Sequence, residues 1–357
     1  MNESISYRFF LGANSSQGFV SFFPNATSDP AIAHNYVFKG GPGCGKSTAM
    51  RRVVDEAAQR GLRREIIYCS SDPGSLDGAL FPTIGAAVYD GTAPHTIELA
   101  FPGAEGSYVT PPPFQDAKAL QGKTAGLRQA NGQLGRHYQQ VFRLTAAAGK
   151  VRENIRARLE PIGDLARLTK RAQGIIGREL PHAVGPGREK KRFLSGITPE
   201  GLLCFYDSVE ALAKKVYDLQ DPYGFASALL EPICKAALER GHEVYACYSP
   251  LHPDRLEHLI LPGLELAFVT SNSYHTYPGG IYRRINIAGI LDRAALREVR
   301  GEVRLLQKIE RSLLEDAVEE LHNTKGIHDR LESYYRPHLD FDAMDRKTEE
   351  LLQTIFD

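Results

Sequence analysis

VFKGGPGCGKSTAMRRVV, residues 37–54, places a glycine-rich loop between an apolar stretch and an amphipathic one. The loop fits the pattern G-x-x-x-x-G-K-[ST], with Gly40, Gly45, Lys46 and Ser47 at its fixed positions. Side chains at these two glycines would obstruct a backbone that turns its N–H groups toward phosphate oxygens. A helix that starts directly after the loop adds free N–H groups and a dipole that favour an anion. The stretch therefore predicts a strand, a phosphate-binding loop and a helix in succession.

The predicted loop assigns distinct roles to its side chains. Lys46 is expected to reach the β and γ phosphates, and Ser47 is expected to ligate Mg²⁺. ATP and Mg²⁺ are therefore the predicted cofactors, and no N-K-x-D motif indicates recognition of guanine. The predicted nucleotide-binding residues are Gly40, Gly41, Pro42, Gly43, Cys44, Gly45, Lys46, Ser47 and Thr48.

Acidic residues after two later apolar stretches are candidates for orienting magnesium and the attacking group. Asp90 ends AAVYD, and we predict that it is a magnesium ligand and, with Lys46, a catalytic residue. Asp72 and Asp77 follow the preceding strand. Asp72 is the third predicted catalytic residue, although an aspartate before proline is also ordinary turn chemistry. Because Gly91 follows Asp90, the water-activating glutamate of fast strand-type ATPases is missing.

The chain contains an internal repeat. YCSSDPGSLDGALFPTIGAAVYDGTAPH, which ends at His95, aligns without a gap with YSPLHPDRLEHLILPGLELAFVTSNSYH, which ends at His275. The openings YRFFLGANSSQGFVSFF and KRFLSGITPEGLLCFY also match, so the sequence indicates a duplication. Since His95 has a counterpart in the other half, we expect it to be structural. The aligned identities include Tyr68 with Tyr248, Pro73 with Pro253, Leu76 with Leu256, and Pro82 with Pro262.

The second half keeps the frame of the phosphate loop but not its chemistry. VYDLQDPYGFASALLEPI, residues 216–233, aligns with the first loop, and Gly224 and Ser227 still match Gly45 and Thr48. We therefore expect one nucleotide per chain and a second half that serves as a pseudo-domain. The replaced positions are Leu219 for Gly40, Phe225 for Lys46, Ala226 for Ser47 and Thr270 for Asp90.

Strands that alternate with a helix predict the α/β class for both halves. We expect two tandem three-layer α/β/α domains of the P-loop NTPase type, with parallel sheets and right-handed crossovers, each followed by long helices. The predicted domains cover residues 1–187 and 188–357, with the seam in PHAVGPGREKK, residues 181–191. The charged stretch from Asp292 to Tyr335 is expected to form a helical hairpin on its domain, with a partner surface as the alternative.

The composition is that of a globular protein with balanced charge. The chain has 357 residues, 42% of them hydrophobic, and a formal net charge of +0. The cysteines form no CxxC pair, which favours free thiols in a reducing compartment over disulfides or a metal site. Residues 1–16 lack a basic start and a long apolar run, so no signal peptide is expected. No membrane contact and a cytoplasmic location are the corresponding predictions.

Residues 118–192 carry more basic than acidic side chains, mainly on two amphipathic stretches. Solvated helix faces are the simplest interpretation. A nucleic-acid or phospholigand surface is the alternative. It is weakly supported because aromatic residues for base stacking are sparse, with only Tyr138 and Phe142 in residues 118–192. Contact between the two halves is a third interpretation.

The sequence resembles a family of poorly characterised bacterial ATPases built from two tandem P-loop domains. The stretches that carry this resemblance are FKGGPGCGKST, CSSDPGSLDG, VYDGTAPH, SGITPEGLL and DRLEHLILPGLELAFVTSN. The resemblance covers nearly the whole chain. It implies ATP binding in the cytoplasm and leaves the second substrate open. Members of the family can carry a phosphate loop in both halves, and this sequence departs from that pattern in its second half.

Three classes of function remain after these observations. The favoured one is a slow ATPase or ATP-driven switch, in which the nucleotide changes domain or partner contacts. The second is a small-molecule or nucleotide kinase that uses the same loop and binds an acceptor hydroxyl near Asp72, Asp77 or Asp90. The third is a non-catalytic scaffold that binds ATP for structure. An unidentified small molecule or protein is the expected partner.

Overall fold

The computed structural model describes residues 5–357, and the chain divides into two compact units. The division departs from the predicted boundary between residues 187 and 188, because both ends of the chain contribute to one unit. The first unit contains the residues up to Gly12, 21–141 and 319–357, and the second contains 13–20 and 142–318.

Two predictions concern a signal peptide and membrane contact. The stretch that lacks a signal-peptide pattern begins with residues 1–4, which lie outside the described residues. Among the described residues, no helix combines the length and the apolar character that a membrane span requires.

The first half of the chain begins with short strands and ends in a long helix. Its elements are β1 (Ser6–Phe9), β2 (Gly12–Ser15), β3 (Gly18–Ser21), α1 (Phe23–Thr27), β4 (His34–Phe38), α2 (Lys46–Gln59), β5 (Arg64–Tyr68), β6 (Leu76–Phe81), β7 (Ala86–Asp90), β8 (Gly106–Val109), α3 (Ala117–Gln121) and α4 (Thr124–Leu159).

The second half repeats this sequence of elements after one additional helix. Its elements are α5 (Ala166–Glu179), β9 (Arg188–Arg192), β10 (Ser195–Thr198), β11 (Gly201–Cys204), α6 (Tyr206–Leu212), β12 (Lys215–Gln220), α7 (Ser227–Glu239), β13 (Glu243–Tyr248), β14 (Leu256–Leu261), β15 (Leu266–Ser271), β16 (Arg283–Asn286), α8 (Arg293–Tyr335) and α9 (Phe341–Phe356).

Each unit contains a six-stranded mixed sheet, and equivalent strands follow the same order in both. The first sheet has the order β1-β5-β6-β7-β4-β8, and the second has the order β9-β13-β14-β15-β12-β16. Helices pack on both sheets, such as α2 on β5, β6 and β7, and α7 on β13 and β14. The equal strand orders confirm the internal repeat and the α/β class.

The prediction of purely parallel sheets is wrong at one strand in each unit. β6 runs antiparallel to β5 and β7, and β14 runs antiparallel to β13 and β15. The chain between β6 and β7 comprises only residues 82–85. A parallel connection needs a crossover of about a dozen residues or more, so a link this short permits only an antiparallel neighbour.

The final charged stretch forms one helix instead of the predicted hairpin. Helix α8 continues for 43 residues, and its first interruption is the 3₁₀ turn Arg336–His338, which contains a proline. The glycines within α8, Gly301 and Gly326, do not break it, because a helical glycine costs only about 1 kcal/mol relative to alanine. Helix α9 follows and packs on α2 within the first unit.

Candidate nucleotide site

The glycine-rich loop of the first unit joins strand β4, which lies between β7 and β8 in the sheet, to helix α2. Gly43 and Gly45 have φ angles of 70° and 86°, a region that residues with a Cβ rarely occupy. A Cβ at Gly40 would lie 2.8 Å from Cys44 Sγ and 2.9 Å from Pro111 Cγ. The backbone path therefore favours glycine at positions 43 and 45, and close packing requires it at position 40.

Lys46 and Asp90 lie together at the carboxyl ends of two neighbouring strands. Phe38, the last residue of β4, is paired with Asp90, the last residue of β7. Lys46 Nζ lies 3.7 Å from Asp90 Oδ2 and donates to the carbonyl oxygens of Gly40 at 3.1 Å and Gly41 at 3.0 Å. The lysine thus spans the loop and faces the carboxylate.

The two predicted magnesium ligands, Ser47 and Asp90, each have a side-chain oxygen held by a hydrogen bond. Asp90 Oδ1 accepts from the backbone N–H of Thr92 at 2.9 Å and from its hydroxyl at 2.5 Å, which fixes the carboxylate. Ser47 Oγ accepts from the backbone N–H of Leu76 at 3.1 Å. Hydroxyl and carboxylate oxygens are the protein ligands that Mg²⁺ prefers.

The remaining loop residues differ in exposure. Thr48, at the first turn of α2, is exposed, and Pro42 is half-buried. Cys44 is buried, and burial raises the pKa of its thiol although the neighbouring Lys46 acts in the opposite direction. Cys44 therefore serves as a small packing residue inside the loop.

Asp72 does not join the Lys46–Asp90 pair in this structure. Its backbone carbonyl closes the turn 72–75 by accepting from Ser75 at 2.7 Å, the turn chemistry that a carboxylate before proline favours. Among the described residues, no hydrogen bond or ion pair joins the Asp72 side chain to Lys46 or Asp90. Its predicted catalytic role receives no geometric support here.

Asp77 lies in a buried cluster with Cys69 and His95. His95 Nε2 is 3.3 Å from Asp77 Oδ2, and one ligand atom from each of the three residues lies within 4.8 Å of the others. Burial lowers the pKa of His95, but the Asp77 carboxylate outweighs this effect and the pKa is raised. Burial also raises the pKa of the Cys69 thiol well above its usual value, and Asp77 adds to the shift.

The cysteine, aspartate and histidine of this cluster are the residue types of a transition-metal site. The aligned residues of the second half, however, indicate that the carboxylate and the histidine form a structural pair. Glu257 and His275 occupy the aligned positions of Asp77 and His95 in the second half. Burial raises the pKa of Glu257, but hydrogen bonding and charge from His258, together with the charge of His275, lower it to about 2. A carboxylate with histidine beside it thus recurs in both units.

Four residues near the end of the chain lie against the loop and carry no sequence signal for this position. A Cβ at Gly41 would be 3.3 Å from the Tyr335 ring, and one at Gly43 would be 3.1 Å from Glu332 Cβ. The side chains that contact the loop glycines in this way are Glu332, Tyr335, Arg336 and Met344. All four belong to the first unit, and their sequence separation from the loop hides them from any local pattern.

The second loop differs from the predicted alignment at Leu219. Leu219 is a fully buried residue of β12 and is paired with Thr270, as Phe38 is paired with Asp90. Five positions separate Leu219 from Gly224, whereas seven separate Phe38 from Gly45. The alignment of Leu219 with Gly40 is therefore wrong, because the second loop is shorter and its strand continues further.

In the shortened loop, a carboxylate of the chain itself accepts hydrogen bonds from the backbone. Asp221 Oδ1 accepts from the backbone N–H groups of Tyr223 at 3.2 Å and Gly224 at 2.9 Å, and Oδ2 accepts from Ala226 at 2.6 Å. Phe225, which replaces the loop lysine, is fully buried in the core of the second unit. The backbone amides that hold phosphate in a functional loop are thus engaged by a carboxylate.

Two arginines of α4 in the second unit form ion pairs with glutamates of α8. Arg152 is paired with the fully buried Glu310, and Arg158 is paired with Glu302 at 2.8 Å. The interpretation of this helix as a uniformly solvated basic face is therefore incomplete, and the nucleic-acid surface stays a prediction.

The chain was compared with protein-family models, curated proteins and solved structures, and no match was found in any of the three.

Proposed function

We propose that this chain binds Mg-ATP at the loop between β4 and α2 and either hydrolyses it slowly or uses it as a switch. The observation that carries the proposal is the arrangement of a strand, a G-x-x-x-x-G-K-S loop and a helix, with Asp90 Oδ2 3.7 Å from Lys46 Nζ. The loop supplies glycines at the positions where backbone N–H groups approach phosphates.

The residues present fit both parts of the proposed ligand. Lys46 and the loop amides would hold the phosphates, while Ser47 and Asp90 would hold Mg²⁺. When bound, the metal supplies positive charge that offsets the charge developing on the γ-phosphoryl oxygens. The chain's own contribution is to fix these groups, since Asp90 is held by two hydrogen bonds from Thr92.

Gly91, directly after Asp90, is the reason that we propose slow ATP hydrolysis. A Cβ at Gly91 would lie 2.3 Å from Val37 Cγ1 and 3.4 Å from the carbonyl oxygen of Phe38. A side chain cannot enter there without repacking the strand, so this fold excludes a glutamate directly after Asp90. Activation of water by that residue is therefore not part of the proposal.

The contacts of residues 332–344 with the loop favour a switch over a passive scaffold. The loop glycines lie directly against Glu332, Tyr335 and Met344. Interfaces packed this closely tend to have discrete arrangements instead of deforming smoothly. A change in loop conformation on nucleotide binding would therefore alter the packing of the α8 end and the α9 start.

Hydrogen–deuterium exchange with and without a slowly hydrolysed ATP analogue and Mg²⁺ tests this proposal. We expect slower exchange in the loop and altered exchange in residues 332–344, and neither change in Lys46→Ala. Protection of the loop alone would support binding but would contradict the switch. An unchanged exchange pattern throughout would contradict nucleotide binding itself.

A kinase is the second candidate, and the observation that favours it is the same glycine at position 91. Without a water-activating carboxylate there, a bound hydroxyl oriented by another group can be the preferred acceptor. Incubation with γ-labelled ATP and a metabolite extract distinguishes the two functions. Label on a metabolite would establish the kinase, whereas label only in inorganic phosphate would support hydrolysis.

A further inference from the structure

The second unit contains a cavity of about 90 Å³ at the carboxyl ends of its strands. Its walls include the loops that follow β12, β13 and β15. In the first unit, the counterparts of these loops carry the glycine-rich segment, Asp72 and Asp90. If each water molecule takes roughly 10–15 Å³ of this cavity volume, the cavity holds about six to nine waters. It therefore has room for a small organic molecule.

Three guanidinium groups line this cavity, and two of them form no ion pair with a carboxylate among the described residues. Arg152 is neutralised by Glu310, which it contacts through Nε at 2.9 and 3.1 Å. In the described part of the chain, neither Arg156 nor Arg255 forms an ion pair within 4.0 Å. Arg156 donates to the carbonyl oxygen of Gly224, and Arg255 Nη1 is buried without a hydrogen-bond partner.

His252 adds an unsatisfied polar atom to the same walls. The residue is only 8% exposed, and its Nε2 atom has no hydrogen-bond partner within the described residues. Burial lowers the pKa of His252 to about 4, and the charges of Arg255 and Arg152 act in the same direction. The imidazole is therefore neutral near pH 7 and retains one donor and one acceptor nitrogen.

The acidic residues of the cavity are already engaged elsewhere. Asp221 accepts three backbone hydrogen bonds from its own loop. Glu257 accepts from the Ser195 hydroxyl at 2.5 Å and lies 3.4 Å from His258. Burial lowers the pKa of Arg156, and the neighbouring charge of Arg255 lowers it further, while the Asp221 carboxylate acts in the opposite direction.

We propose that this cavity binds a small organic anion, whose phosphate or carboxylate group is held by Arg156, Arg255 and His252. Guanidinium groups recognise both kinds of oxyanion through paired N–H donors. The carbon part of such a ligand would contact the apolar walls, which include Ile197, Leu202, Leu251, Leu256 and Leu314. Duplication would thus have preserved the position of a ligand site while arginines replaced the phosphate loop as its anion-binding groups.

Calorimetric titration of the full chain with inorganic phosphate, glycerol phosphate and succinate tests the proposal. We expect at least one of these probes to bind. The probe with the highest affinity identifies the ligand class as a phosphate or a carboxylate. Arg255→Ala should weaken binding at least tenfold. The control Arg143→Ala, which removes an exposed arginine of the same helix as Arg156, should leave it unchanged.

Two further variants keep the test decisive. If Arg255→Ala does not fold, Arg255→Lys retains the charge but loses the paired donors, and it should still weaken binding measurably. Lys46→Ala should leave binding of the probe intact, which separates this site from the proposed ATP site. Failure of all three probes to bind, retention of affinity in both Arg255 variants, or loss of binding in Lys46→Ala would overturn the proposal.

Discussion

The Asp221 carboxylate of the second loop accepts a 2.6 Å hydrogen bond from the backbone N–H of Ala226, next to the start of helix α7. A negative charge at this end of a helix is stabilised by the free N–H groups and by the helix dipole. In the first unit, a phosphate is the proposed anion at the equivalent place. The second loop therefore carries its anion covalently, on its own chain.

Asp221→Asn tests whether this carboxylate stabilises the second unit. Because three backbone N–H groups would lose a charged acceptor, we expect the free energy of unfolding to fall by about 1–3 kcal/mol. Urea unfolding of both proteins provides the measurement. Asp316→Asn, an exposed position on α8, should change stability by less than about 0.5 kcal/mol. Equal effects of the two substitutions would contradict the assigned role.

One nucleotide per chain is the expected stoichiometry. The amides of the second loop are engaged by Asp221, and Phe225 offers no charge where the first loop has Lys46. Titration with a slowly hydrolysed ATP analogue and Mg²⁺ should saturate near one equivalent. A second tight site that survives in Lys46→Ala would contradict this interpretation of the second loop.

Lys46→Ala should abolish most triphosphate binding while leaving the fold intact. Loss of a charge-assisted contact costs about 1.5–3 kcal/mol, which corresponds to at least a tenfold weaker affinity. The measurement is calorimetry with ATP, with circular dichroism as the check on folding. Lys123→Ala, an exposed lysine of the first unit, is the matched control. Equal ATP affinity in wild type and Lys46→Ala would rule out the assigned role of the lysine.

Asp90→Asn should lower magnesium-dependent turnover more than nucleotide affinity. Asp90 lies 3.7 Å from Lys46, whereas the carbonyl of Asp72 closes a separate turn. We therefore expect Asp72→Asn to have the smaller effect on the turnover number. Steady-state phosphate release and analogue binding, measured on both variants, separate the two quantities. The opposite ranking would identify Asp72 as the carboxylate that acts on the metal.

His252 should make the stability of the second unit depend on pH. Its folded pKa of about 4 lies below the ordinary value of 6.5, so the unfolded chain binds the proton first as the pH falls. The contribution is present above about pH 6.5 and is lost progressively toward pH 4. We expect a loss of about 1–3 kcal/mol over this range, and a smaller one in His252→Gln. Identical pH profiles of unfolding in the two proteins would contradict this prediction.

The elements with strong local signals could be predicted from the sequence. Helix α2 covers Lys46–Gln59, directly after the loop as the glycine-rich pattern predicts, and Gly61, with a φ of 71°, follows its end. The position of Asp90 beside Lys46 follows from the meeting of parallel strand ends at one edge of a sheet.

Other features depend on pairing and packing that no local pattern records. Strands β6 and β14, which precede Pro82 and Pro262, run antiparallel to their neighbours, and the pattern of strands alternating with a helix does not indicate this direction. The contacts of Tyr335 and Met344 with the loop join residues nearly 300 positions apart. The register shift at Leu219 is visible only from the strand pairing in the sheet, because a repeat alignment cannot show where a strand ends.

The composition of the first unit has a consequence for the order in which the protein folds during synthesis. Its core contains Met344 and Leu351 from α9, which pack with residues of α2. The ribosome makes these residues only after residues 142–318, which take roughly 9–35 s at about 5–20 residues per second. The nascent first unit waits through this interval with an apolar surface uncovered, and the second unit is the first whose chain is fully available. A protein whose amino-terminal half carries the proposed nucleotide site therefore completes the unit that holds this site only after its last helix has been made.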